Sequence, residues 1–229
     1  MRNLAIITAR GGSKRIPRKN IKDFCGKPII AYSIEAALNS GVFDEVMVST
    51  DDDEIKDVAI KYGAKVPFMR SEATSNDNAM TNVVLVEVVE EYEKRGEIFD
   101  NICCIYPTAP FLTAERLKEA MRKLEEERVD TVIPVVQFSF PPQRCFVIRE
   151  GKVRFLYPKN AQVRSQDLEP QYHDVGQFYC MNTERFMEER VLIMKNSAPV
   201  ILDEIEVQDI DNYSDWQMAE MKYRLLNSK

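Results

Sequence analysis

Ala5-Ile-Ile-Thr-Ala-Arg-Gly-Gly-Ser-Lys-Arg-Ile-Pro-Arg-Lys-Asn20 takes an apolar strand straight into a loop that mixes two glycines with five cations. Between Arg10 and Lys27 stand seven basic side chains and one acid, Asp23, in a chain whose formal net charge is −6. Such a cluster on an acidic background predicts a local anionic ligand. Gly11 and Gly12 carry no Cβ, so backbone N–H groups can close on phosphate oxygens, while Arg10 and Lys14 supply neutralising charge. The competing reading is a solvated basic face with glycines in a turn. The strand in front weighs against it, because open α/β sheets place their ligands at the carboxyl ends of their strands. Spacing excludes two familiar phosphate loops: Ile16 stands where a Walker loop beginning at Gly11 needs its second glycine, and no Gly-x-Gly-x-x-Gly pattern occurs.

Working outward, strand-length apolar runs recur at Leu4–Thr8, Glu45–Ser49, Ile102–Tyr106 and Thr131–Val136, with a further strand-like segment at Lys65–Phe68. Stretches with apolar residues three and four apart separate them, so the alternation predicts an α/β protein with a parallel sheet covered by helices. The first helix is expected to open with Pro28 in its first turn, to share a face among Ile30, Ile34 and Leu38, and to stop at Gly41. Thr113 is the expected N-cap of a helix burying Leu117, Ala120, Met121 and Leu124, and Asp77 or Asn78 that of a helix running through Val83 to Tyr92. A closing helix is expected to place Trp216, Ala219, Tyr223 and Leu226 on one face. After Val136 the rhythm breaks: Phe138-Ser-Phe-Pro-Pro-Gln leads to Cys145–Arg149 and Lys152–Phe155 around Glu150-Gly151, a hairpin signature. The expected organisation is a core of residues 1–136 and 176–229 with an inserted lobe at 137–175.

At 229 residues the chain is long enough for one sizeable core, and 45% hydrophobic with 30% charged residues is an ordinary globular balance. No apolar run reaches the ~18 residues of a membrane span. With a strand following Met1 at once and no secretory segment, the expected location is cytoplasmic. The acidic balance argues against nucleic acid as a main partner. Five cysteines, none spaced Cys-x-x-Cys, and one histidine cannot assemble a zinc set, so the cysteines read as reduced, mostly buried thiols.

Three constellations carry possible chemistry. Val207-Gln-Asp-Ile-Asp-Asn sets Asp209 and Asp211 two apart, so an extended backbone points both carboxylates the same way, a hard-oxygen pair suited to Mg²⁺. Asp-x-Asp before a helix is also an ordinary capping pattern. Arg70-Ser-Glu-Ala-Thr-Ser-Asn-Asp-Asn-Ala-Met-Thr81 offers polar groups for a base or ribose, or is simply a capped loop. Arg164, Tyr172, His173, Gln177 and Tyr179 gather where the lobe returns to the core; Arg164 would hold a carboxylate and an imidazolium at His173 would assist, although a solitary histidine is more often structural. Ser49-Thr50-Asp51 reads as a helix start and stands outside the predicted site.

Together these residues resemble the acylneuraminate cytidylyltransferases, which activate nine-carbon 2-keto sugar acids as CMP conjugates. The resemblance rests on Ala9-Arg10-Gly11-Gly12-Ser13-Lys14 with Lys19-Asn20, on Arg70 followed by Asp77 and Thr81, and on Asp209-Ile-Asp211. It implies a Rossmann-like nucleotidyltransferase fold with a mostly parallel sheet and an inserted β-rich dimerisation lobe. It further implies CTP phosphates on Arg10 to Lys14 and Lys19, nucleotide contacts from Asn20, Arg70, Asp77 and Thr81, Mg²⁺ on Asp209 and Asp211, and a homodimer. Arg10, Lys14 and Lys19 would then be the catalytic cations. The sialic acid branch carries Gln-Pro-Thr-Ser-Pro-Leu-Arg where this chain has Tyr106-Pro-Thr-Ala-Pro-Phe-Leu112, and an arginine where this chain has His173; both changes look like the branch acting on pseudaminic acid. Tyr106, Arg164, His173, Gln177 and Tyr179 are the expected sugar-binding set. Legionaminate, N-acetylneuraminate and octulosonate remain alternative nonulosonic or related acids, and a nucleotide-sugar glycosyltransferase or a non-catalytic nucleotide-binding module are the readings from other classes.

Overall fold

A computed structural model describes residues 1–76 and 79–228. The elements in chain order are β1 (Asn3–Thr8), β2 (Asp23–Phe24), β3 (Lys27–Pro28), α1 (Ile29–Ser40), β4 (Glu45–Ser49), α2 (Asp53–Lys61), α3 (Glu72–Ser75), α4 (Thr81–Lys94), β5 (Asn101–Ile105), α5 (Ala114–Glu126), β6 (Thr131–Gln137), β7 (Phe146–Arg149), β8 (Lys152–Phe155), β9 (Tyr172–Asp174), β10 (Phe178–Asn182), α6 (Thr183–Glu189), β11 (Ser197–Leu202) and α7 (Tyr213–Leu226). Seven strands form one sheet in the order β11-β6-β10-β5-β1-β4, with β9 added to β6. β1 is parallel to both β4 and β5, and β11 to β6, whereas β10 runs antiparallel to β5 and β6. The sheet is therefore mixed but mostly parallel.

The four apolar runs are strands because both faces of the sheet are covered, which removes the in-out alternation of a half-exposed strand. Ala5 and Ile7 of β1 point into a layer with Ile30, Ile34, Val48, Ile105 and Leu117. Leu4 and Ile6 point the other way, onto Leu85, Val88, Tyr92 and Phe186. A third cluster, Ile16, Phe24, Ile29, Tyr32, Phe111, Ile210, Trp216 and Ala219, joins the basic loop to the C-terminal helix. Phe24 makes edge contacts there with Tyr32, Trp216 and Tyr223 at 5.5–5.6 Å. Thr113 caps α5 by accepting from the Arg116 N–H, and Leu117, Ala120, Met121 and Leu124 are buried as their spacing predicts. No helix among the described residues is long and apolar enough to cross a membrane.

Several local expectations are corrected. Lys65–Phe68 is not a strand: only Lys65 bridges the β4 edge, at Met47, because Pro67 lacks the N–H that would continue the ladder. Pro28 precedes α1 rather than opening it, since it is extended (ψ 135°) and pairs with Asp23 across β2–β3. Ile30 and Ile34 are buried, but Leu38 is 41% exposed and lies over Gly63 at the rim. Helix α4 begins at Thr81 after Met80, so its N-cap is neither Asp77 nor Asn78, both of which lie outside the described residues. On α7, Trp216 and Ala219 are buried, whereas Leu226 is exposed in the last turn.

Beyond β6 the hairpin forms as its signature predicts. β7 and β8 pair antiparallel, and Glu150 and Gly151 both take positive φ (52° and 71°), the turn whose twist matches a two-stranded ribbon. The chain then returns through β9, whose Tyr172, His173 and Asp174 pair with Gln137, Val136 and Val135 of β6.

Candidate nucleotide-binding site

The carboxyl ends of the parallel strands β1, β4 and β5 open on the same side, where a cleft of about 720 Å³ is lined by Thr8, Arg10, Ser13, Lys14, Lys19, Asn20, Arg70, Thr81 and Tyr106, among others. Sequence reasoning had assigned all of these but Thr8 to ligand. The walls are polar, cationic and half-open, as a multiply charged ligand requires. Asn20 is buried, and its amide donates to the Arg10 carbonyl at 2.9 Å, pinning the loop across its base. Lys19 donates from Nζ to the Ile210 carbonyl at 2.7 Å. Burial pulls its ammonium below the ordinary lysine value, against the attraction of Asp211 and Asp209.

Neither Gly11 nor Gly12 is among the residues that line this wall. The Gly11 N–H donates to Asp51 Oδ1 at 2.9 Å, and a Cβ on Gly11 would lie 2.6 Å from Asp52 Oδ2. Glycine is needed here so that the loop can lie against the start of α2. At the opposite wall Arg70 is buried; its Nε donates to Ser49 Oγ at 3.0 Å and its Nη2 to the Ser49 carbonyl at 2.6 Å. The Arg70 N–H adds a bond to the Thr50 carbonyl at 2.8 Å. Burial lowers the guanidinium pKa, opposed by Asp51 and Glu87, and an arginine keeps its charge regardless. Glu87 of α4 reaches back to the Ser71 N–H and the Ser71 and Thr74 hydroxyls, fixing the segment beside Arg70.

Ser49-Thr50-Asp51, which the sequence reading leaves out of the site, forms with Asp52 one supporting segment. Its four residues hold both the basic loop and Arg70. The available signal was its place, immediately after the predicted strand 45–49, since the strand-end rule applied to Arg10 applies equally there.

Tyr106 closes the inner end of the cleft. Its hydroxyl lies 3.4 Å from Thr81 Oγ1 and its ring meets Tyr179 edge-on at 5.7 Å. Burial raises the Tyr106 pKa, so the phenol stays neutral. Tyr179 sits behind it, donating to Asp174 Oδ2 at 2.5 Å, and the buried Gln177 amide donates to the Glu206 carbonyl at 2.8 Å. The other expected sugar-binding residues lie apart from the cleft. Arg164 is exposed on the lobe and forks onto Asp167 at 2.8 and 3.2 Å. His173 is exposed on β9, with Nδ1 2.9 Å from the Asp174 carbonyl and its ring 4.7 Å from Phe138. It shares a separate hollow of about 220 Å³ with Phe138, Asp209 and Lys222.

Ile210 buries its side chain in the third cluster between an exposed Asp209 and a half-buried Asp211. This alternation puts both carboxylates on the side away from the core. Asp211 pairs with Arg15 at 2.7 Å, but both side chains are largely exposed (41% and 68%), and such a pair is worth only ~0–1 kcal/mol. Exchanging that partner for a cation would cost little. Two carboxylates beside a cationic cleft fit Mg²⁺, which takes one or two protein carboxylates and completes its shell with water and phosphate where present. Among the described residues no group of three or more His, Cys, Asp and Glu gathers as a self-contained metal site. All five cysteines are free, and burial pushes the Cys104 thiol up to about 12, unsuited to a nucleophile.

An α/β sheet with a cationic loop at the end of its first strand defines a nucleotide-handling protein. Residues 4–222 match the cytidylyltransferase family, and the chain belongs to it. It is 44% identical over 226 residues to the pseudaminic acid cytidylyltransferase of Campylobacter jejuni, covering 98% of this chain and 97% of that one. It is 34% identical over 227 residues to the CMP-N,N'-diacetyllegionaminic acid synthase of Legionella pneumophila, covering 96% and 95%. The solved structure of CMP:2-keto-3-deoxy-manno-octonic acid synthetase complexed with CTP superposes over 100% of both chains with a TM-score of 0.70 at 18% identity, a likeness of fold.

Proposed function

We propose that this cytidylyltransferase transfers CMP from CTP to the anomeric 2-hydroxyl of pseudaminic acid, giving CMP-pseudaminate and pyrophosphate for bacterial flagellin or surface glycans. The observation that carries the substrate is the 44% identity, spread over nearly the whole of both chains, to a pseudaminic acid cytidylyltransferase. In the transfer the sugar oxygen forms a bond to the α-phosphorus of CTP as the bond to the bridging α–β oxygen breaks. Arg10, Lys14 and Lys19 balance the triphosphate charge and the charge growing on pyrophosphate, as fixed cations do in phosphoryl transfer. Arg70, Asn20 and Thr81 orient the nucleoside, and Tyr106 offers an aromatic wall to a sugar rich in acyl and methyl groups. Asp209 and Asp211 would hold Mg²⁺, which would polarise the α-phosphate and lower the pKa of the attacking hydroxyl, whose proton would pass to solvent. No side-chain general base is assigned.

The assembly in this reading is a homodimer. Its support is an exposed apolar face on the hairpin: Ile148 (75% exposed) and Val153 (63%) are cross-strand partners, as are Phe146 and Phe155. The deciding experiment is pyrophosphate release from CTP and Mg²⁺ with pseudaminate, legionaminate, N-acetylneuraminate and octulosonate, each repeated with chelator. Release with pseudaminate that chelator abolishes is expected. Release only with another acid would refute the substrate, and release that survives chelator would refute the metal.

A further inference from the structure

The basic loop is held from behind by two acids that never reach the cleft. Asp51 accepts the Gly11 N–H at 2.9 Å, and Asp52 takes a two-pronged bond from Arg18 at 2.5 and 2.8 Å. Arg18 also reaches Glu54 at 2.5 Å. Gly11 and Arg18 flank the run that supplies Ser13, Lys14, Arg15 and Ile16 to the cleft wall. Both ends of that run are thus fastened to the start of α2. Arg18 is fastened in a left-handed backbone conformation (φ 55°), uncommon for a residue with a side chain and sustained only where surrounding contacts enforce it.

We propose that Arg18 and Asp52 form a latch that sets the phosphate-binding loop for CTP, so that both are positioning residues for nucleotidyl transfer. The assignment deepens the nucleotide reading of the cleft and rests on it. Asp52 suits the task because its carboxylate is also the N-cap of α2, accepting from the Ile55 N–H at 3.0 Å. The latch is therefore referenced to a helix packed on the core through Ile55 and Ala59 rather than to another loop. The Arg18 bond holds the Asp52 carboxyl down to about 2, against burial, so the pair stays ionised across the neutral range. Because Ser49 and Thr50 grip Arg70, the four residues from the end of β4 to the N-cap of α2 set the spacing between the phosphate and nucleoside ends of the site.

The test is calorimetric CTP titration and steady-state kinetics on Asp52→Asn, Arg18→Gln and the double variant. Asparagine keeps the helix cap while losing the charge. Each single variant is expected to weaken CTP binding about five- to twentyfold and to leave KM for the sugar acid within about twofold, with the double variant no weaker than the poorer single, because either change alone opens the latch. Arg18→Lys, which keeps charge but not the fork, should fall between Arg18→Gln and wild type. Unchanged CTP affinity in folded Arg18→Gln, equal losses for CTP and sugar acid, or additive losses in the double variant would each overturn the latch. Arg18 is partly exposed, so Arg18→Gln decides the matter even should Asp52→Asn fail to fold. Because calorimetric CTP affinity needs no sugar acid, an enzyme that binds CTP but ignores pseudaminate would refute the substrate, and the CTP losses of the variants would still decide the latch.

Discussion

Asp52 lines no part of the cleft, yet it holds Arg18, at the end of the run that does. Its carboxyl is lowered from 3.8 to about 2, chiefly by the Arg18 hydrogen bonds. A carboxyl depressed on folding adds stability that is complete above its unfolded value and is lost as pH falls through the folded one. Allowing for an Arg18 side chain that is 39% exposed, we expect about 1–2 kcal/mol at pH 6. Urea unfolding of wild type and Asp52→Asn should therefore differ by that amount at pH 6 and converge toward pH 2; a gap constant across this range would show that the ion pair is not its source. At this scale the sequence was informative for most of the cleft wall, though not for the segment that follows β4. Arg10, Lys14, Lys19, Asn20, Arg70, Thr81 and Tyr106 all line the cleft. Gly11 was read as a phosphate donor, yet its N–H faces Asp51, a contact between residues forty positions apart that no local pattern encodes.

Among the elements, the least regular one holds the acids assigned to Mg²⁺. Residues 207–212 form no helix or strand, and Ile210, 1% exposed against Ile16 and Trp216, anchors them beside the loop. Its carbonyl also receives Lys19. Ile210→Ala should cost about 2–5 kcal/mol as a large-to-small core change, and it should lower kcat by more than it raises KM for the sugar acid, because both carboxylates and Lys19 lose their common reference. Thermal denaturation with turnover per folded molecule checks this; normal turnover in a merely less stable protein would free the segment from any placing role. The Asp-x-Asp spacing was legible, but its anchor was not, since one isoleucine between two acids has no periodicity. Elsewhere, helical spacing gave α1 and α5 and unbroken apolar runs gave β1, β4, β5 and β6, whereas other segments failed for stated reasons: Pro67 ends the Lys65 segment, and β9 is three exposed residues whose pairing with β6 only the assembled sheet supplies. That pairing carries His173 to a hollow beside Asp209 and away from the cleft, which the sequence could not foretell.

In the whole molecule, the seven-stranded sheet with helices on both faces covers its own core, while the hairpin does not. Phe146 and Phe155 touch across it at 4.6 Å, and with Ile148 and Val153 they form one apolar face on a two-stranded ribbon. A two-stranded ribbon is at best marginally stable alone, and an exposed face of this kind marks an interaction surface. A second copy of the chain suits it, because a two-fold contact needs only one self-complementary patch and brings two such faces together. Light scattering should then give twice the chain mass for wild type. Ile148→Asp with Val153→Asp should give the single mass, since the two-fold would bury like charges against one another at the centre of an apolar contact. A wild-type monomer at micromolar concentration, or a dimer indifferent to both substitutions, would refute the hairpin as the dimer contact. The substitutions lie on exposed positions outside the core, so a loss of mass could not be put down to unfolding of the sheet. Unaltered CTP affinity in the resulting monomer would further show that the cleft of one chain binds the nucleotide without its partner.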